Sequence, residues 1–146
     1  VSSAASDVYK RQMQHYEEML RVVQGFDNWS VIGHVDHIKR YDPLGPWPDA
    51  NIRDIVAAIF KEAIRSGKGI ELNTSSVRYG LSDLTPSTEI LRLYRDLGGR
   101  ILTLGSDSHK PEHLGAHIPV MRERLRALGF DEFCTFDHME PVFHKL

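Results

Sequence analysis

The sequence predicts an α/β fold built on a parallel sheet with crossover helices, and two observations predict it. Short apolar runs alternate with amphipathic stretches at helical spacing at least three times along the chain. The apolar runs end in polar side chains, first His34 and Asp36, then Asn73 to Ser76, then Asp107 and His109. Barrel-like α/β folds assemble their sites from the segments that follow strand C-termini, so these residues are expected to share one rim.

Each element follows from local pattern. Gln14 to Val23 reads as a helix, with Tyr16, Met19, Leu20 and Val23 on one face and Gly25 as its stop. Trp29 to Gly33 reads as a short strand. Tyr41 to Asn51, with Pro43, Pro46 and Pro48, reads as a loop long enough to be functional. Ile52, Ile55, Val56, Ile59, Phe60 and Ala63 trace one helical stripe closed by Gly67, and Gly69 to Leu72 is the second strand. Thr85 and Pro86 have the form of an N-cap and first helical position before the apolar face of Ile90, Leu93, Tyr94 and Leu97. Ile101 to Leu104 is the third strand. Leu114, Ile118, Met121, Leu125 and Leu128 place a last helix, within which Pro119 marks a break or a restart. Phe133 to Phe136 and Pro141 to Phe143 read as a closing strand or hairpin.

Composition narrows the function classes. The 146 residues, 41% hydrophobic and 26% charged, suit one domain with one core. A net charge of −2 gives no support for a broad nucleic-acid or membrane surface, and no apolar run approaches the roughly 20 residues of a membrane-spanning helix. Cys134 is the single cysteine, which excludes an internal disulfide and fits a reducing, cytoplasmic setting. The run from Ser2 to Gln12 resembles a translated sequencing adapter and has no apolar core of a signal peptide. Residues 1–12 are therefore expected to be a non-native, disordered tail, and 13–146 the C-terminal portion of a single domain.

The chemistry concentrates at the strand ends. Asp107 and His109 are two residues apart in an extended segment, so their side chains project to one side and offer a carboxylate oxygen and an imidazole nitrogen to a divalent metal. Gly105 reads as the residue that lets the backbone turn there. His34 adds a second imidazole after another strand, and Asp36 is placed to orient an imidazole or handle a proton. Arg40 and Arg78 follow two strand ends with planar donor forks suited to phosphate oxygens. Blander readings exist for each residue: a turn cap for Asp107, a core histidine for His34, a solvated loop charge for either arginine. Their coincidence at strand ends argues instead for a metal-dependent hydrolase. His113 and His117 lack the glutamate of an H-E-x-x-H pattern. Ser75 and Ser76 lack a nucleophile elbow, and no glycine-rich nucleotide loop is present.

With these residues in place, the chain resembles the PHP-type histidinol-phosphatases. The stretch from Val31 to Tyr41, containing Gly33-His34-Val35-Asp36, is similar to that family's third metal motif. Glu71-Leu72-Asn73-Thr74-Ser75 is similar to its E-[IL]-N-T-S segment, and Gly105 to His109 to its final G-S-D-[AS]-H motif. The resemblance runs from Met13 to Leu146. It implies the C-terminal part of a distorted (β/α)7 TIM-like barrel and up to three divalent metal ions, whether zinc, iron or manganese. It further implies that His34, Asp107 and His109 bind metal, and that Arg40 and Arg78 bind the substrate phosphate. The implied reaction is hydrolysis of L-histidinol phosphate, a small-molecule ester, to L-histidinol and phosphate. Asp36, or a water it orients, is then expected to protonate the departing alkoxide. The family's opening H-x-H motif and its later glutamate and histidine ligands are absent here. A truncated fragment with weak metal binding and little or no activity is therefore expected. The alternatives are a PHP hydrolase of another small phosphate ester and a non-catalytic or proofreading PHP module of a DNA polymerase.

Overall fold

A computed structural model describes residues 3–41 and 48–146. Its centre is a parallel sheet of β1 (Val31–Ile32), β2 (Gly69–Asn73) and β3 (Leu102–Gly105), in that spatial order. Ile32 pairs with Ile70, Ile70 with Leu102, and Asn73 with Gly105, so the three C-terminal ends share one edge. β2 lies between its neighbours and is buried along its length except at Glu71, which is half-buried. The connections are helical, as parallel pairing requires: α2 (Arg53–Arg65) between β1 and β2, and α3 (Thr88–Asp96) between β2 and β3. After β3 come α4 (Ile118–Ala127) and an antiparallel hairpin of β4 (Glu132–Asp137) and β5 (Glu140–Lys145).

The core forms where the apolar stripes pointed. Val56, Ile59, Phe60 and Ala63 of α2 are fully buried with Ile70 and Leu72 of β2, Leu91 and Tyr94 of α3, and Leu102 of β3. Phe60 meets the Tyr94 ring edge-on, with centroids 5.1 Å apart. The Tyr94 hydroxyl donates to the Ile101 carbonyl at 2.8 Å, so its polar end is satisfied inside the core. Cys134 is buried, and burial pushes its thiol up, away from reactivity.

Several expectations need correction. The first helix, α1, spans Ser3–Gly25, so the segment expected to be disordered is helical from Ser3. Ala5, Lys10, Arg11 and Gln12 are good helix formers, and Val8, Gln12 and Tyr16, spaced four apart, are buried along one face. Helix α3 is capped by Ser87, whose Oγ accepts from the Ile90 N–H at 3.2 Å, and not by Thr85. Thr85 is already committed elsewhere: its carbonyl takes the Asn73 N–H at 2.8 Å, and its bond to Pro86 is cis. Leu114 lies outside α4 and is 81% exposed, while Pro119 sits in the first turn of α4, where its missing N–H costs nothing. Of the loop from Tyr41 to Asn51, residues 42–47 lie outside the described residues, and short 3-10 turns at His37–Tyr41 and Asp49–Asn51 flank them. Among the described residues, no helix is long and apolar enough to cross a membrane.

Candidate active site

Two residues at the shared strand edge adopt a backbone conformation that side chains disfavour. His34, two positions after β1, has φ of 32°, and Asp107, two positions after β3, has φ of 51°. Non-glycine residues held there cost on the order of 1–3 kcal/mol and persist only where their surroundings over-determine them. The surroundings do so from one segment. Glu71 of β2 accepts the His34 N–H on Oε2 at 3.1 Å. Arg78, just after β2, donates from its two terminal nitrogens to the carbonyls of Ser106 and Asp107 at 2.7 and 2.8 Å. The central strand and its extension thus hold the loops on both sides.

Glu71 is the functional-edge residue that motif reasoning missed. Besides His34, its Oε2 accepts from Asn73 Nδ2 at 3.2 Å. Asn73 in turn accepts the Ser75 N–H at 2.9 Å, and Ser75 Oγ accepts from Arg40 at 2.9 Å. A hydrogen-bonded belt therefore runs from Arg40 through Ser75, Asn73 and Glu71 to His34. Gly105 also has a different role from the expected one. Its φ is not in the left-handed region; instead, a Cβ there would overlap the Glu71 carboxylate. At Gly33, a Cβ would fall 3.5 Å from Glu71 Oε2. The available signal is a charged residue between Ile70 and Leu72, in the middle of a five-residue strand.

Each predicted site residue has a definite place. Asp107 and His109 lie together, with His109 Nδ1 2.9 Å from the Asp107 carbonyl and 3.7 Å from its carboxylate. The His34 ring stacks obliquely on His37 at 4.4 Å, and His37 meets His15 of α1 at 5.7 Å. His34 Nδ1 is buried with no protein partner. Among the described residues, however, no three His, Cys, Asp or Glu side chains come together as a group able to hold a metal ion. Arg40 lies over the Tyr79 ring at 3.6 Å, and its Nε is buried without a partner.

Asp36 requires a correction. Its carboxylate is 1% exposed, accepts from Lys39 Nζ at 2.6 Å and from the Ser87 N–H at 2.9 Å, and so anchors the start of α3. Lys39 also donates to the Leu84 carbonyl at 2.8 Å. Its Oδ1 is buried without a partner, and the two bonds on Oδ2 place the carboxylate inside the packing at the start of α3 and not on the exposed strand rim.

The histidine stack sets a pH dependence. Burial, and for His15 the neighbouring His34, lowers the His15 imidazole below its ordinary 6.5. Burial, with His34, His15 and Arg40 nearby, does the same to His37. A folded-state value below the unfolded one means the unfolded chain binds more protons as pH falls below about 6.5. Stability is therefore expected to be held above that value and to decline below it. Urea midpoints at pH 7.5 and 5.5 test this, with a His15→Gln/His37→Gln chain expected to lose less on acidification. An equal loss in both chains would refute it.

The comparisons with known proteins fall in line with this geometry. No family model matches the chain. The histidinol-phosphatase of Lactococcus lactis is 33% identical over 139 residues, which cover 88% of this chain and 48% of that protein. A solved Lactococcus lactis structure of histidinol phosphate phosphatase, complexed with zinc, L-histidinol and phosphate, superimposes with a TM-score of 0.75 at 28% identity, covering 92% of this chain and 52% of its own. The chain is a relative of the histidinol-phosphatases. A second solved structure, from Listeria monocytogenes, matches at a TM-score of 0.58 and 18% identity over 75% of this chain and 43% of its own, a likeness of fold alone. The chain spans about half the length of the curated histidinol-phosphatase relatives it matches.

Proposed function

We propose that this chain is part of a histidinol-phosphatase, a metal-dependent phosphomonoesterase that hydrolyses L-histidinol phosphate to L-histidinol and phosphate. On this reading its sheet is a sector of a distorted (β/α)7 barrel, and the enzyme works in the cytoplasm. The observation that carries the proposal is the pairing of His34 and Asp107, both in left-handed conformations, at the ends of strands that flank β2. The Lactococcus lactis relative, whose structure holds zinc, L-histidinol and phosphate, supplies the chemical context.

The donors present fit a divalent metal in kind: two imidazoles and a carboxylate, with His34 Nδ1 left without a protein partner. Because no three of the described donors meet as one group, they form a partial ligand set, which up to three ions of zinc, iron or manganese would share with further ligands. A bound ion would polarise phosphoryl oxygen and lower the pKa of bound water. The chain's own residues hold and orient. His34, Asp107 and His109 are the ligands, and Arg40, whose buried Nε has no protein partner, would offer that N–H to a phosphate oxygen. Arg78, expected to bind phosphate as well, has both terminal nitrogens on the Ser106 and Asp107 carbonyls and instead keeps that loop in place.

Calorimetric zinc titration tests the reading. Zinc is expected to bind weakly to this chain and to raise its melting temperature; at 100 times Kd the gain is about 2.7 kcal/mol. His34→Ala and Asp107→Ala are each expected to weaken binding, and zinc affinity unchanged in both would overturn the ligand assignment. Phosphate release from L-histidinol phosphate by this chain alone is expected to be slight, and turnover at the rate of the Lactococcus lactis enzyme would contradict the partial ligand set. No observation favours a different phosphate ester or a polymerase-linked role.

A further inference from the structure

We propose that Glu71 is a positioning residue: through the His34 backbone N–H it holds the His34 imidazole in its ligating orientation, and Gly105 is glycine so that the Glu71 carboxylate fits. The proposal rests on the reading of His34 as a metal ligand.

The argument starts from what His34 lacks. It follows a strand of two residues and lies outside the ladder, so no sheet hydrogen bond fixes its backbone. Its φ of 32° is unfavourable for any residue with a Cβ. Two bonds compensate: the His34 carbonyl accepts the His37 N–H at 2.9 Å, and the His34 N–H donates to Glu71 at 3.1 Å. The second spans 37 residues of sequence and is the one that ties the loop to the central strand. With the backbone fixed at both groups, the direction of the side chain is set within its few staggered rotamers.

The Glu71 carboxylate is itself held. Asn73 donates to the same Oε2 that takes the His34 N–H, leaving Oε1 over Gly105, where any side chain would collide with it. The glycine of the G-S-D-S-H segment thus serves clearance across the sheet, and a single carboxylate registers the β1 loop against β3. Partners one step removed from a metal ligand typically change metal affinity by about 10–100-fold when removed.

The test compares the parent chain with Glu71→Ala, Glu71→Gln, Gly105→Ala and His34→Ala, using zinc competition against a chromophoric chelator and amide hydrogen exchange at His34. Glu71→Ala is expected to weaken zinc binding by about 10–100-fold and to release protection of the His34 amide. Glu71→Gln keeps an oxygen acceptor and is expected to stay within a few-fold of the parent. Gly105→Ala, which retains Glu71 but displaces it, is expected to follow Glu71→Ala. Should Glu71→Ala fail to fold by circular dichroism, Gly105→Ala and Glu71→Gln carry the comparison. Loss of zinc in His34→Ala with none in Glu71→Ala or Gly105→Ala would overturn the positioning role alone. Glu71→Gln as weak as Glu71→Ala would overturn the hydrogen-bond basis. A parent chain without zinc affinity, or His34→Ala binding like the parent, would overturn the ligand reading and this inference together.

Discussion

Replacing Asp36 with alanine is expected to lower the unfolding free energy by about 3–5 kcal/mol. The Lys39 side chain is only 12% exposed and the Asp36 side chain 1%, so removing the carboxylate leaves a largely buried ammonium with the Leu84 carbonyl as its hydrogen-bond acceptor and the Asp83 carboxylate as its nearby counter-charge. The Ser87 N–H loses its acceptor at the same time, at the start of α3. Burial pushes the Asp36 carboxyl up and the Lys39 charge beside it pulls it back, the usual tension of an enclosed ion pair. Against a total stability of about 5–15 kcal/mol for a domain, the loss is large enough to read in urea denaturation. Asp36→Asn keeps an oxygen for Ser87 but not the charge, and is expected to fall between. An Asp36→Leu/Lys39→Met pair removes both charges and is expected to recover most of the loss, since coupled residues are not additive. A loss below about 1 kcal/mol in Asp36→Ala would mean the pair does not hold the fold, and would reopen a role for Asp36 at the rim.

The depth of Asp36 marks where sequence reasoning stops. Its position two residues after His34 is visible in the sequence, but spacing gives direction along the chain and not distance from solvent. The rim itself was legible because each apolar run ends abruptly in polar residues, and parallel pairing then forces those ends to one edge. The α2 stripe was legible for the same reason, since Val56, Ile59, Phe60 and Ala63 follow helical spacing and all are fully buried. Glu71 stands out in the sequence only as part of a motif, because a charge inside a strand ordinarily reads as the solvent-facing residue of an alternating pattern. Its partner His34 lies 37 residues away, beyond any local rule. Gly105 reads as a turn residue from its place before Ser106 and Asp107, whereas the constraint on it comes from across the sheet. The start of α1 is obscured for another reason: residues 1–12 resemble adapter sequence, although Val8, Gln12 and Tyr16 carry a helical spacing.

Phe60→Ala is expected to cost about 3–5 kcal/mol, the range for emptying a large aromatic site in a rigid core. Phe60 is fully buried on α2, and its ring is the contact through which that helix meets Tyr94 of α3. Tyr94 is in turn fixed to the Ile101 carbonyl, which also accepts the Ile70 N–H at 3.0 Å. A void at position 60 therefore loosens the ring that braces the β2–β3 pairing as well as the helix interface. Phe60→Leu retains most of the volume and is expected to lose less than half as much, so the difference between the two variants reads the cavity and not merely the aromatic pair. Gly69 begins β2 against Ile101, where a Cβ would overlap the Ile101 carbonyl, so the backbones of these segments pack closely beside this interface. Urea denaturation of the chain with each variant measures the costs, and amide exchange at Ile70 and Leu102 shows whether the loss reaches the sheet. A cost of about 1 kcal/mol for the alanine variant would mean that α2 and α3 are not packed through this ring.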